Sequence, residues 1–185
     1  TFSVNEWKKI LKIIEKVCED GREISSTFIR EEVERGNMNH VARLLGEPYM
    51  IIGQVVHGAK LGRKIGMPTI NLLPEKEKML PPNGVYYSRT QIGEKEYKSI
   101  TNIGKKPTVS NADQIGVETY LYEFGQDVYG KNAIVKLLEF KRPEQKFADL
   151  EALKAQAISA RTYAYNKLIH SGLSSYGANM DDSAT

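Results

Sequence analysis

The chain is poor in the residues that build staples and metal clusters. Its 185 residues include one cysteine, Cys18. An intrachain disulfide is therefore excluded and a zinc–thiolate cluster is disfavoured, and a reducing cytoplasmic setting fits best. Histidine is scarce too: His40, His57 and His170 stand far apart, without metal-ligand spacing. No apolar run approaches the roughly 18–20 residues that a membrane-spanning helix needs. Charge of either sign is not in large excess. The 26 basic and 23 acidic side chains leave +3, which by itself calls for neither nucleic acid nor an anionic membrane. The opening Thr1-Phe2 has no Met and no signal-peptide layout, so the expectation is a trimmed chain. What remains, 41% hydrophobic and 26% charged residues, is the profile of a globular protein able to bury its own core.

Three stretches differ in character. In residues 1–46, Trp7, Ile10, Leu11, Ile14 and Val17 recur at helical spacing, with a strand over Leu11–Cys18 as the competing reading. Asp20-Gly21 reads as a turn. Ser25 or Ser26 can cap a helix over Thr27–Arg35 that stops at Gly36, and a second short helix over Asn39–Leu45 closes at Gly46 and Pro48. From Tyr49 onward, glycine, proline and β-branched residues punctuate short runs. Strands are predicted over Tyr49–His57, Gly84–Ile92, Glu96–Ile103, Val117–Phe124 and Asn132–Phe140, which suggests a small barrel or sandwich. A helix over Leu150–Ile169 follows, and the polar tail from Leu173 to Thr185 is expected to be loose.

The densest chemical signal lies between Gly53 and Asn71. Gly58, Gly62 and Gly66 alternate with Lys60, Arg63 and Lys64. Glycines let backbone N–H groups approach an anion and the basic side chains add charge, a combination suited to a polyphosphate. The Gly-Lys-Ser/Thr ending of a P-loop is absent, and a solvated hairpin loop is the plainer alternative. In Pro68-Thr69-Ile70-Asn71, Thr69 and Asn71 share one side of an extended segment. Their hydroxyl and amide oxygens are hard ligands of the kind magnesium accepts beside phosphate, although a simple strand start explains the motif as well. Glu118 is a lone acid on a strand, facing the same way as Tyr120 and Tyr122. Inside a barrel mouth it would serve as a general base, and on an outer face it would be a solvated acid. Asp127-Val128-Tyr129-Gly130 reads as a turn whose aromatic could cover a ring. Arg142-Pro143-Glu144-Gln145-Lys146-Phe147 offers a phosphate-binding or stacking Arg142 and a wall in Phe147.

These motifs, with Leu80-Pro81-Pro82-Asn83-Gly84-Val85-Tyr86 and Thr101-Asn102-Ile103-Gly104-Lys105-Lys106-Pro107-Thr108, occur in one order over residues 49–170 that closely resembles the riboflavin kinase family. Ile24-Ser25-Ser26-Thr27-Phe28-Ile29-Arg30 and Leu44-Leu45-Gly46-Glu47-Pro48-Tyr49 resemble the end of the nucleotidyltransferase domain that precedes the kinase in bacterial bifunctional FAD synthetases. The resemblance implies a nucleotidyltransferase remnant over 1–48, a kinase domain over 49–172 and a tail over 173–185. It also implies a mainly β fold: a six-stranded antiparallel Greek-key barrel with a long C-terminal helix and a short helical lead-in. The implied partners are riboflavin and ATP, giving FMN and ADP with Mg2+, and neither nucleic acid nor membrane; the oligomeric state is left open.

Residue by residue, the resemblance puts the metal and phosphates at Thr69 and Asn71 and the catalytic base at Glu118. Gly58 and Arg63 fall in a phosphate-covering loop, Leu121 and Tyr129 on the adenosine side, and Arg142, Gln145 and Phe147 on the flavin side. The sequence departs from the family pattern at Ile70, where Ala is usual, and at Arg63 and Gln145, where some relatives carry Lys. It departs again at Ala160, where bacterial relatives often have an acid. Three rival readings are an FMN adenylyltransferase, of which most of the site is missing, a non-catalytic barrel binding single-stranded nucleic acid, which the small net charge disfavours, and a flavin-binding module that has lost catalysis, against which the intact Thr69, Asn71 and Glu118 argue.

Overall fold

In the computed structural model, residues 16–58, 68–105 and 115–145 are described, together with Ala155, Ile158, Ser159, Thr162 and Asn166. The chain begins there with a two-stranded hairpin, β1 (Cys18–Glu19) and β2 (Arg22–Glu23), turning at Asp20-Gly21 as the sequence suggests. Two helices follow, α1 (Ser26–Arg35) and α2 (Met38–Leu45). Ser25 is the N-cap of α1, its side chain accepting from the Phe28 N–H. Gly36 and Gly46 end the two helices in the left-handed conformation that glycine adopts without a Cβ penalty. The predicted helix over residues 7–17 falls largely outside the described residues. Cys18, at the end of the competing strand reading, lies in β1.

The rest is a closed antiparallel barrel of six strands: β3 (Tyr49–Val56), β4 (Thr69–Pro74), β5 (Gly84–Ile92), β6 (Lys95–Lys105), β7 (Ile115–Leu121) and β8 (Asn132–Pro143). Their order around the barrel is β3-β4-β7-β6-β5-β8. The predicted strands match in place. β7 stops three residues early because the chain turns at Tyr122, and Glu123 takes a positive φ. β8 instead runs on to Pro143, past two register irregularities against β5. The predicted C-terminal helix over 150–169 falls almost wholly outside the described residues.

Period-2 alternation decides what points inward. Ile51, Val55, Leu72, Tyr86, Ile103, Val117, Val135 and Leu137 are fully or almost fully buried in one core. Val33, Met38 and Val41 of the helices join that same core and close the end of the barrel where β3 starts. Five buried hydroxyls also face inward and satisfy one another: Thr90 to Ser99, Ser99 to Ser88 and Ser88 to Thr101 at 2.8 Å each, and Thr101 to Thr119 at 3.0 Å. This chain of contacts ties β5, β6 and β7 in register, and β7 carries Glu118.

Glu32 links the two helices. It is 3% exposed and accepts from Arg35 at 2.6 Å, Asn37 Nδ2 at 2.8 Å and His40 Nδ1 at 2.9 Å. The β1–β2 hairpin is held to them by the ion pairs Arg22–Glu31 and Arg43–Glu19.

Candidate active site

On the outer face of the barrel, register aligns one row of residues across the strands. Asn71 on β4 pairs with Glu118 on β7, Glu118 with Asn102 on β6, Asn102 with Val85 on β5, and Val85 with Arg142 on β8. Residues paired across antiparallel strands project from the same face. One step along, Thr69 pairs with Tyr120 and joins that face. Val117, Thr119 and Leu121 point the other way, into the core. Glu118 therefore does not stand inside the barrel mouth, as one sequence reading had it. The inward positions of β7 are filled by close-packed apolar and hydroxyl side chains, and the acid is left on the outer wall.

It is not a free surface acid there. The Thr69 hydroxyl donates to Glu118 Oε1. Asn71, the partner of Glu118 across the ladder, is 5% exposed. Gly58 lies directly against its amide: a Cβ at Gly58 would stand 2.3 Å from Asn71 Nδ2 and 2.7 Å from its Oδ1. Only glycine lets the chain leave β3 this close to Asn71. A hydroxyl, an amide and a carboxylate from two adjacent strands thus converge where the basic, glycine-rich segment begins.

Beside them, a pocket of about 230 Å³ is lined by Pro68, Thr69, Leu121, Phe124, Asp127 and Tyr129, among others. The Asp127–Gly130 turn that forms its wall is held three ways. Tyr129 N–H donates to Asp127 Oδ1 at 3.1 Å, Gly130 N–H to the Val55 carbonyl at 2.9 Å, and Gln54 Nε2 to the Gly130 carbonyl at 3.0 Å. The His57 and Tyr129 rings lie 3.8 Å apart between centroids, so the residue before Gly58 packs on the pocket wall. Thr69 belongs to both groups and joins the pocket to the carboxylate.

At the other end of the row, β8 delivers Arg142 onto the bare backbone of Gly84. A Cβ there would stand 2.3 Å from the Arg142 carbonyl. Arg142 Nη1 donates to the Pro143 carbonyl at 3.0 Å, and partial burial lowers the pKa of its guanidinium from the usual value. Next to the row, Tyr87, Ile100, Tyr120 and Tyr122 form a separate hydrophobic cluster.

The structure therefore gathers Gly58, Thr69, Asn71, Glu118, Leu121 and Tyr129 at one end of the barrel wall, and sets Arg142 three strands from Glu118 in the same row. Gln145 is exposed, just beyond Arg142. Arg63 and Phe147 lie outside the described residues. Two polar residues of the row and its edge had no role in the sequence reading. Asn102 is one, and its place was implicit in the alternation of β6 once Glu118 was put on β7. Glu144 is the other, which stands inside the Arg142–Phe147 motif without a role of its own there. For a hard divalent cation beside phosphate oxygens, the donor set of Thr69, Asn71 and Glu118 is chemically suitable, all three offering oxygen.

The Flavokinase (riboflavin kinase) family matches residues 45–166. The chain is 42% identical over 140 residues to the bifunctional riboflavin kinase/FMN adenylyltransferase of Escherichia coli K12, and 38% identical over 148 residues to that of Bacillus subtilis 168. Those alignments cover 75% and 78% of this chain but 44% and 46% of the relatives, so the chain spans less than half their length. A solved structure titled macrolide-efflux protein, from Streptococcus pneumoniae, superposes with a TM-score of 0.78 at 30% identity, covering 88% of this chain and 54% of the other. A riboflavin kinase from Trypanosoma brucei shares the fold, with a TM-score of 0.50 at 23% identity, covering 75% of this chain and 92% of its own. Six strands closing into one barrel, the outer-wall row and the match over residues 45–166 lead to one conclusion: the chain belongs to the riboflavin kinase family.

Proposed function

We propose that this chain transfers the γ-phosphoryl group of ATP to the ribityl 5′-hydroxyl of riboflavin, releasing FMN and ADP. The observation that carries the reading is the convergence of Thr69, Asn71 and Glu118: a carboxylate holding a hydroxyl hydrogen bond beside an open pocket of about 230 Å³. Phosphoryl transfer needs positioning and charge neutralisation more than covalent chemistry. In this reading the pocket by Leu121 and Tyr129 takes the adenosine, and the segment from Gly58 through Arg63 covers the phosphates. Thr69 and Asn71 hold the phosphates and Mg2+, which when bound neutralises the charge of the transferred group. Glu118 accepts the proton of the 5′-hydroxyl as that oxygen bonds to phosphorus and the bond to ADP breaks.

The flavin then lies along the row, its ring toward Arg142, Gln145 and Phe147 and its ribityl end at Glu118. Adjacent strands are about 4.8 Å apart, so three steps give roughly 14 Å for a ring at one end and an alcohol chain reaching to the other. The finer architecture belongs to the same proposal: a Greek-key connection, a long helix over 150–169, a nucleotidyltransferase remnant over 1–48 and a tail over 173–185, in a cytoplasmic protein.

Riboflavin and ATP supplied with Mg2+ should yield FMN and ADP in equal amounts by chromatography. ATP hydrolysis without FMN would contradict the reading. Asn71→Ala should raise the KM for Mg-ATP by about tenfold, the weight of one hydrogen bond to a charged group, while flavin binding holds. An unchanged magnesium dependence would remove Asn71 from the metal site.

A further inference from the structure

Glu144 closes over the sheet in a way that its exposure alone does not suggest. Its carboxylate occupies the space where a side chain on Gly104 would begin: a Cβ at Gly104 would stand 1.7 Å from Glu144 Oε1, 2.3 Å from its Cδ and 2.7 Å from its Oε2. The same Oε1 faces Asn102 Nδ2 at 3.5 Å. Asn102 is the ladder partner of Glu118. Two residues earlier β8 pairs alongside Gly84, with the Arg142 carbonyl where a side chain there would begin. Segment 142–145 thus abuts two glycines, and its second anchor sits one strand from the proposed base.

We propose that Glu144 is a positioning residue: a latch that seats on Gly104 and Asn102 and so fixes segment 142–145 relative to Glu118. The inference rests on the riboflavin kinase reading, in which that segment holds the flavin. A ring held at Arg142 and an alcohol presented to Glu118 are useful only if the two ends keep a fixed separation, since small misplacements lower the rate. The latch sets that separation without touching the substrate. It also explains a glycine that no turn requires: Gly104 lies inside β6, and its missing side chain leaves the carboxylate its seat.

The test is a double-mutant cycle read on riboflavin. Glu144→Ala should raise the riboflavin KM and the riboflavin Kd, the latter read by flavin fluorescence, by about threefold, the loss expected for a long hydrogen bond between exposed groups. The KM for ATP should stay unchanged, because the Thr69 pocket is untouched. Gly104→Ala should reproduce this by unseating the carboxylate, and should add little once Glu144 is Ala, since residues acting through one contact are not additive.

Glu144→Gln, which keeps an oxygen acceptor for the Asn102 amide, should restore most of the riboflavin affinity that Glu144→Ala loses. An unchanged riboflavin Kd in Glu144→Ala, full additivity of Gly104→Ala with Glu144→Ala, or a Glu144→Gln that binds riboflavin no better than Glu144→Ala would each overturn the latch. If wild type binds riboflavin but forms no FMN, the kinase reading fails while the binding cycle still decides the latch. If wild type binds no riboflavin, both fail.

Discussion

At the scale of the residue, Glu118 and Gly58 carry the sharpest expectations. Glu118→Gln keeps the size of the side chain and removes its basicity. Turnover should fall by roughly 10²–10⁴, the range for a general base, with riboflavin binding by fluorescence retained. Gly58→Ala acts through Asn71. The added methyl would meet the Asn71 amide at 2.3 Å, which neither group can accommodate in place. Nucleotide binding should weaken, and titration with a non-hydrolysable ATP analogue checks it. Normal nucleotide affinity in Gly58→Ala would show that the approach to Asn71 is not needed.

At the scale of the element, the helix pair depends on Glu32. The Asn37 amide holds its carboxyl below the ordinary value of 4.5, with His40 and Arg35 adding to the effect and burial opposing it. A carboxyl whose pKa is lower in the folded state stabilises fully above its unfolded value. That contribution is lost as pH falls through the lowered folded value. The acid limb of a stability–pH curve should therefore be shallower in Glu32→Gln, which also loses about 2 kcal/mol near neutrality because the buried glutamine amide turns a donor toward groups that are themselves donors. Urea unfolding at several pH values measures both.

Helices α1 and α2 and five of the six barrel strands were readable in sequence because their signals are local, whereas β4 showed only as an extended start at Thr69–Asn71. Ser25, Gly36 and Gly46 mark helix ends by backbone chemistry, and the alternation in Val117–Leu121 marks a strand by packing. What was not readable was which wall of the barrel Glu118 would occupy. Alternation fixes that Glu118 and Val117 face opposite ways, whereas closure of the barrel decides which way is in. The seat of Glu144 on Gly104 was hidden for the same reason, since it joins residues forty apart through the pairing of β5 with both β6 and β8.

At the scale of the whole molecule, the barrel is a rigid wall and the chemistry stands outside it. Its interior is closed by apolar side chains and a satisfied set of hydroxyls, so the core sets strand register, and register sets the row from Asn71 to Arg142. Leu72→Ala, deep in that core, should cost about 3 kcal/mol of unfolding free energy through lost burial and the cavity left behind. Riboflavin KM should stay near wild type as long as the barrel stays folded. The measurement that bears most directly on the central claim compares wild type and Glu118→Gln in one assay, with riboflavin, ATP and Mg2+ supplied and products separated by chromatography. Conversion to FMN and ADP by wild type, with riboflavin still bound but scarcely converted by Glu118→Gln, is the predicted result. Equal FMN formation by the two proteins, or none by either, would contradict it.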